Sequence, residues 1–368
     1  MSRGWNFSAG PAVLPERVLS ELQEVLFELS DCRAGLMEVS HRSKQFVEIM
    51  ESARSRLKRV LNAPDDHTVL YLQGGASMQF YMSALNLTGP DDRIAVLDTG
   101  TWSTKAIKEA ERVCRVTVPF SGKDSGFAHL PVAAGEAPAI PDDVAYVHYT
   151  SNNTVKGTQW HGLPETDKPL VGDMSSDICS RAVDVSRHAV IYAGAQKNLG
   201  PSGVTAVILS PWALERCAHA AASRPGGLPA MLDYSVHAAK DSAFNTPNTF
   251  GIYALDRMLK WVEDEGGVAH FAAKADRMAG KLYAALDGSG FYRCPIRPDS
   301  RSTMNVVWRI QDVDLEPVFV KEATAEGLLA LKGHRSVGGL RASMYNALPE
   351  PAVDDLVAFL ADFESRHG

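Results

Sequence analysis

The sequence predicts an α/β fold: a mainly parallel sheet with helices on both faces, followed by a smaller α/β domain. Three observations carry this. Short apolar runs alternate with segments of helical period from about residue 68 to 262. Alternation of that kind is how a parallel sheet is wound. After Gly266-Gly267 the pattern changes to a long helix, then strands and helices in a different order.

The elements follow in sequence. Residues 1–15 read as an extended arm, because Gly10, Pro11 and Pro15 oppose helix. Residues 16–29 read as a helix, with Val18, Leu19, Leu22, Val25, Leu26 and Leu29 at helical spacing, and 44–61 as a second. Strand 68–72 precedes helix 76–87, and strand 93–97 precedes helix 104–112. Further strands are expected at 144–149, 170–172, 190–192 and 204–208, then a helix over 249–262. The smaller domain reads as helix 268–286, strand 304–309, helix 315–326, strands 328–331 and 339–343, and helix 350–366.

Composition excludes several classes. The chain has 368 residues, 45% of them hydrophobic and 22% charged, which suits two domains with substantial cores. A net charge of −7 opposes a nucleic-acid or anionic-membrane partner over the whole surface. The five cysteines form no Cys-x-x-Cys pair and no zinc spacing, so no metal site is expected. Their scatter suggests reduced thiols in a cytoplasmic protein. The first residues lack the apolar core of a signal peptide, and no run is long enough for a membrane span.

The most informative residue is Lys197. It follows the apolar run Ala189–Ala193 and precedes the Gly200-Pro201-Ser202-Gly203 loop. An amine in that position is open to desolvation, which lowers its pKa and makes it nucleophilic. A second apolar run, Leu170-Val171-Gly172, ends on Asp173. A lysine and an aspartate at neighbouring strand ends suit pyridoxal phosphate, the amine taking the aldehyde and the carboxylate the pyridine nitrogen. Taken singly, each also has an ordinary role, as a solvated lysine or a helix-capping aspartate.

Other signals gather at the same sheet edge, where ligands of open α/β sheets collect. Gln73-Gly74-Gly75-Ala76-Ser77 joins a strand to a helix, and the free N–H groups of Ala76 and Ser77 suit an anion. The glycine pattern is neither a nucleotide P-loop nor a dinucleotide fingerprint. Trp102 lies in a loop after a strand, where a tryptophan can stack on a flat ring or pack at the rim of the core, and Thr154 adds a hydroxyl. Two segments pair histidine with arginine: His41-Arg42 and His334-Arg335. Arg341 sits inside an apolar strand, where its charge requires an anionic partner, either a protein carboxylate or a substrate.

With these residues in place, the chain resembles the phosphoserine aminotransferases, of the class V group of fold-type I pyridoxal-phosphate enzymes. The resemblance rests on Asn6-Phe7-Ser8-Ala9-Gly10-Pro11-Ala12, Met37–Arg42, Gly74–Ser77, Tyr192–Asn198, Phe244–Pro247, Lys332–Arg335 and Arg341–Asn346, and it spans essentially the whole chain. It implies a large cofactor domain over 16–262 with a seven-stranded sheet, and a small domain built from 1–15 and 263–368. It implies that Lys197 carries the cofactor covalently, Asp173 pairs with its ring nitrogen, Trp102 stacks on the ring and Thr154 bonds near it. Ala76, Ser77 and Gln196 are implied to hold the cofactor phosphate, with Asn245 and Thr246 from the other subunit of a homodimer. Arg341 is implied to take the substrate's α-carboxylate. His41 and Arg42 of the other subunit, with His334 and Arg335, are implied to take its distal anion. Some relatives carry arginine where this chain has Ser77, so that contact with substrate phosphate is missing here.

The activity so implied is transfer of an amino group from glutamate to 3-phosphohydroxypyruvate, with the four-carbon phosphate of vitamin B6 synthesis open as a second acceptor. Three readings compete. A cysteine desulfurase would need an activated cysteine and commonly a histidine before the lysine, where this chain has Gln196. An alanine–glyoxylate type of transaminase would not need two His-Arg pairs. A non-catalytic protein of the same fold would be colourless when purified.

Overall fold

The computed structural model describes residues 3–132 and 135–368. The strands are β1 (Trp5–Asn6), β2 (Thr68–Leu72), β3 (Arg93–Asp98), β4 (Arg115–Ser121), β5 (Val144–Thr150), β6 (Leu170–Asp173), β7 (His188–Gly194), β8 (Thr205–Leu209), β9 (Tyr292–Arg293), β10 (Asn305–Ile310), β11 (Leu328–Leu329) and β12 (Leu340–Ser343). The helices are α1 (Glu16–Glu24), α2 (Lys44–Leu61), α3 (Gly75–Leu87), α4 (Thr101–Ala110), α5 (Pro211–Ala222), α6 (Tyr234–Ala238), α7 (Thr249–Asp264), α8 (Gly267–Asp287), α9 (Glu316–Ala325) and α10 (Pro351–His367).

A seven-stranded sheet has the order β2-β8-β7-β6-β5-β3-β4. Only β8 runs against its neighbours, pairing antiparallel with β2 and β7. The central strands are buried throughout, as β7 shows over His188–Gly194, because helices cover both faces. One face packs on α2 and α7 through Phe46, Leu57, Ile252 and Leu259. The other packs on α3, α4 and α5 through Phe80, Ala106 and Cys217. The mainly parallel architecture expected from the alternation is therefore present.

A second sheet, β12-β10-β9, is antiparallel. Its apolar side, with Val306, Trp308 and Ile310, packs on Phe319, Phe359 and Phe363. The arm adds Phe7 to this core, and β1 pairs in parallel with β11. The N-terminal arm thus spans from the second sheet to the edge of the first.

Several sequence expectations need correction. The first helix stops at Glu24, not Leu29. Beyond it the Val25 carbonyl accepts from Leu36 N–H, and the Leu29 N–H donates to the Ala34 carbonyl. Gly35 lies so close to Leu26 that a Cβ there would sit 2.2 Å from its carbonyl oxygen. A returning loop has taken the groups a further turn would need. The strand expected over 328–331 ends at Leu329, since Ala330 turns the chain with φ +64. Trp102 lies in the first turn of α4, not in a loop before it. Ser103 Oγ accepts from Thr99 and Gly100 N–H and donates to Asp98, which starts the helix early.

Four elements escaped the sequence reading: β4, α5, α6 and the two-residue strand β9. Strand β4 carries Pro119, and a proline weakens any strand reading, yet β4 is an edge strand where proline is tolerated. Helix α5 has a clear signal in Ser210, whose hydroxyl accepts from Ala213 N–H, followed by Pro211 at the first helical position. Helix α6 is only five residues long.

Candidate active site

The parallel strands deliver their C-terminal ends to one edge of the large sheet, and a cavity of about 340 Å³ opens there. Of the residues singled out in the sequence, Ala76, Ser77, Trp102, Thr154, Asp173, Gln196, Lys197, His334 and Arg341 line it. The arm contributes Ala9 and Gly10.

Asp173 is the last residue of β6 and is buried. Its Oδ1 accepts from the Ser175 N–H at 3.0 Å and from the Ser175 hydroxyl at 2.7 Å. Ser175 in turn accepts from Gly194 N–H at the end of β7. These bonds fix the carboxylate and leave Oδ2 without a protein donor among the described residues. Burial raises the Asp173 pKa, while Ser175 and the Lys197 charge pull it back.

Lys197 follows β7 by one turn and is 7% exposed. Its Nζ donates to Thr154 Oγ1 at 2.8 Å and lies 5.9 Å from the centroid of the Trp102 ring. Burial pushes its pKa down to about 8; Asp173 and Asp177 oppose the shift and Arg341 adds to it. A sizeable neutral fraction near physiological pH is what a nucleophilic amine needs.

The far rim is the start of α3. Gly74 and Gly75 have φ +88 and +65, a left-handed path natural only to glycine. First-turn N–H groups have no partner inside the helix, and the residues that carry them here, Gly75, Ala76 and Ser77, line the cavity. A Cβ on Gly75 would meet nothing within 4 Å, so the space beside that residue is open.

Arg341 comes from β12 and is 9% exposed. Its Nη1 donates to the Thr154 carbonyl at 3.3 Å, and its Nε has no partner. Among the described residues no carboxylate pairs with it. Burial lowers its pKa, with Tyr345 opposing. Of the two partners expected for this charge, a protein carboxylate or a substrate, the first is not found among the described residues. His334 is likewise pushed down, by burial and then by Arg341, Arg335 and Lys105.

Five expected residues do not reach this cavity. His41, Arg42, Asn245, Thr246 and Arg335 are absent from its lining. Asn245 lines a separate cavity beside Gly74 and Met78, and the Thr246 carbonyl accepts from Gln73 Nε2 at 3.2 Å. Sequence reasoning missed Asn152, Ser175 and Ser176, which also line the site. Ser175 had a legible signal, because a serine two residues after a strand-end aspartate can close a turn on it. Asn152 had none. Its role follows from a buried network in which it donates to Ser176 Oγ and Asn305 Oδ1, and accepts from Ser302 Oγ, tying the two sheets together.

Residues 4–356 match the family model described as aminotransferase class-V. The chain belongs to the class V aminotransferases. Among curated members, the phosphoserine aminotransferase of Geobacillus kaustophilus is 47% identical over 367 residues, covering 100% of this chain and 99% of that one. The crystallised phosphoserine aminotransferase from Bacillus circulans subsp. alkalophilus superposes with a TM-score of 0.93 at 41% identity, covering 100% and 99% of the two chains. The pyridoxal-phosphate-bound phosphoserine aminotransferase of Trichomonas vaginalis superposes with a TM-score of 0.89 at 35% identity, covering 98% and 100%. An alanine–glyoxylate aminotransferase from Nostoc shares the class V fold at only 17% identity.

Proposed function

We propose that this chain is a pyridoxal-phosphate-dependent aminotransferase that moves the amino group of glutamate to 3-phosphohydroxypyruvate, giving O-phosphoserine and 2-oxoglutarate. One observation carries the reading. A buried amine, a fixed carboxylate and an uncompensated guanidinium face a single cavity. Full-length relatives at 43–47% identity bear the name of this activity.

The residues present fit the cofactor. Lys197 offers a partly neutral amine to an aldehyde. Asp173 keeps Oδ2 for a protonated ring nitrogen, Trp102 offers an aromatic face, and the start of α3 offers N–H groups to a phosphate. When bound, pyridoxal phosphate supplies a ring that accepts the electron pair released as the substrate α-proton leaves.

The chain's own residues do the rest. Arg341 forks onto the substrate α-carboxylate and orients the α-carbon. Lys197 takes and returns the α-proton as general base and acid, held in place by Thr154. His334 lines the same cavity and takes part in holding the distal anion. Both substrates carry an anion at each end, so one set of cations serves both half-reactions and the kinetics are ping-pong.

The reading extends to a homodimer that shares its sites. Asn245, Thr246, His41 and Arg42 do not line their own chain's cavity. Exposed apolar side chains lie near them in sequence: Met37 is 63% exposed and Phe244 39%. A second copy would cover these and bring the polar residues to the neighbouring cavity. No described helix is long and apolar enough to cross a membrane, and we assign the enzyme to the cytoplasm.

The visible spectrum tests the activity. A band in the purified protein that shifts on adding glutamate, and is absent in Lys197→Ala, is the expected result. A Lys197→Ala protein with an unchanged band would overturn the assignment.

A further inference from the structure

Behind Arg341 lies a second cavity, of about 300 Å³. It shares Val155, His334 and Arg341 with the first, so Arg341 belongs to the wall of both. Strand register fixes its charge. Arg341 is opposite Val307, and Arg309 is opposite Arg293. Opposed residues share a face, as do residues two apart on one strand. Arg341, Arg309 and Arg293 therefore project from the same side of the second sheet.

Lys156 closes the space from the large sheet's side. Its position is set by Gly157, which has φ +82 and approaches β10 so closely that a Cβ would sit 2.8 Å from Val307 Cγ2. No aspartate or glutamate lines the cavity. Arg309 is paired with Glu316. Among the described residues Lys156, Arg293 and Arg341 have no carboxylate partner. Three uncompensated cations around one small space repel each other and attract an oxyanion.

We propose that this second cavity is an anion-binding antechamber, in which Lys156 and Arg293 take the carboxylate or phosphate of an incoming substrate before it reaches Arg341 and His334 in the shared wall. The inference rests on the aminotransferase reading of the first cavity. A cleft lined by one sign of charge concentrates ligands of the opposite sign, and the gain falls as salt is added.

The test is the double variant Lys156→Gln/Arg293→Gln, beside the charge-matched surface control Lys108→Gln/Lys321→Gln. For the native enzyme and the control, kcat/KM for 3-phosphohydroxypyruvate should fall steeply with salt. The cavity variant should start about tenfold lower at low salt, through KM, and show a flatter salt dependence. Native-like slope and magnitude in the cavity variant would overturn the proposal. Should the double variant not fold, Arg293→Gln alone, at an exposed position, repeats the measurement. A native enzyme that failed to turn over 3-phosphohydroxypyruvate would instead sink the aminotransferase reading. In that case the broadening of the ³¹P signal of inorganic phosphate by the cofactor-loaded protein decides. Less broadening by the cavity variant supports the antechamber, and equal broadening removes it.

Discussion

At the scale of single residues, the chemistry rests on how far burial displaces ordinary pKa values. Lys197, pushed down to about 8, is mostly protonated at pH 7 and mostly neutral at pH 9. Only the neutral amine attacks an aldehyde. The rate of pyridoxal phosphate rebinding to cofactor-free protein should therefore rise about tenfold from pH 7 to pH 9, with a midpoint near 8. A midpoint near the ordinary lysine value would show that burial is not acting on this amine. Arg341→Lys should lower kcat/KM for glutamate and for the keto acid alike, by about ten- to a hundredfold, because an ammonium cannot reproduce the planar fork. A loss confined to one substrate would contradict the shared α-carboxylate role. The roles of Lys197, Asp173 and Arg341 could be framed from sequence, since each is a charged residue placed where an apolar strand should continue or end. Ser175 and Asn152 were harder to see, because a buried hydroxyl or amide declares itself only through partners distant in the chain, as Asn152 and Asn305 show.

At the scale of elements, the central strands were legible because burial on both faces makes them continuous apolar runs. Edge strand β4 was not, for the converse reason: Arg115, Val118 and Ser121 are exposed along it and Pro119 interrupts it. The end of α1 was lost because loop backbone groups, not a sequence signal, compete for its last turn. Two elements give direct tests. Ser210→Ala removes the cap of α5 and should lower stability by about 1 kcal/mol without moving the visible spectrum. Calorimetry at fixed pH measures the first and absorbance the second. Gly74→Ala places a Cβ 2.6 Å from that of Met78, at φ +88. It should weaken cofactor binding as well as stability, because the start of α3 must shift. Native-like cofactor affinity in Gly74→Ala would argue against that turn as a phosphate cradle.

At the scale of the whole molecule, the cavity draws on parts far apart in sequence: the arm, the start of α3, the ends of β6 and β7, and β12. The shared-site homodimer predicts complementation. Lys197→Ala and Arg42→Ala, each nearly inactive alone, should regain up to about a quarter of native activity when unfolded together and refolded as mixed dimers, since one site in such a dimer is intact. Mixtures no more active than their parents would mean that each chain completes its own site. The arm carries a further consequence. Trp5-Asn6 is stitched to Leu328-Leu329, and six residues after Asn6 the Ala12 N–H donates to the Gln196 carbonyl beside the reactive amine. A protease nick between these two anchor points would leave both sheets folded while cutting one short tether between them, so limited digestion should silence the enzyme before it melts it.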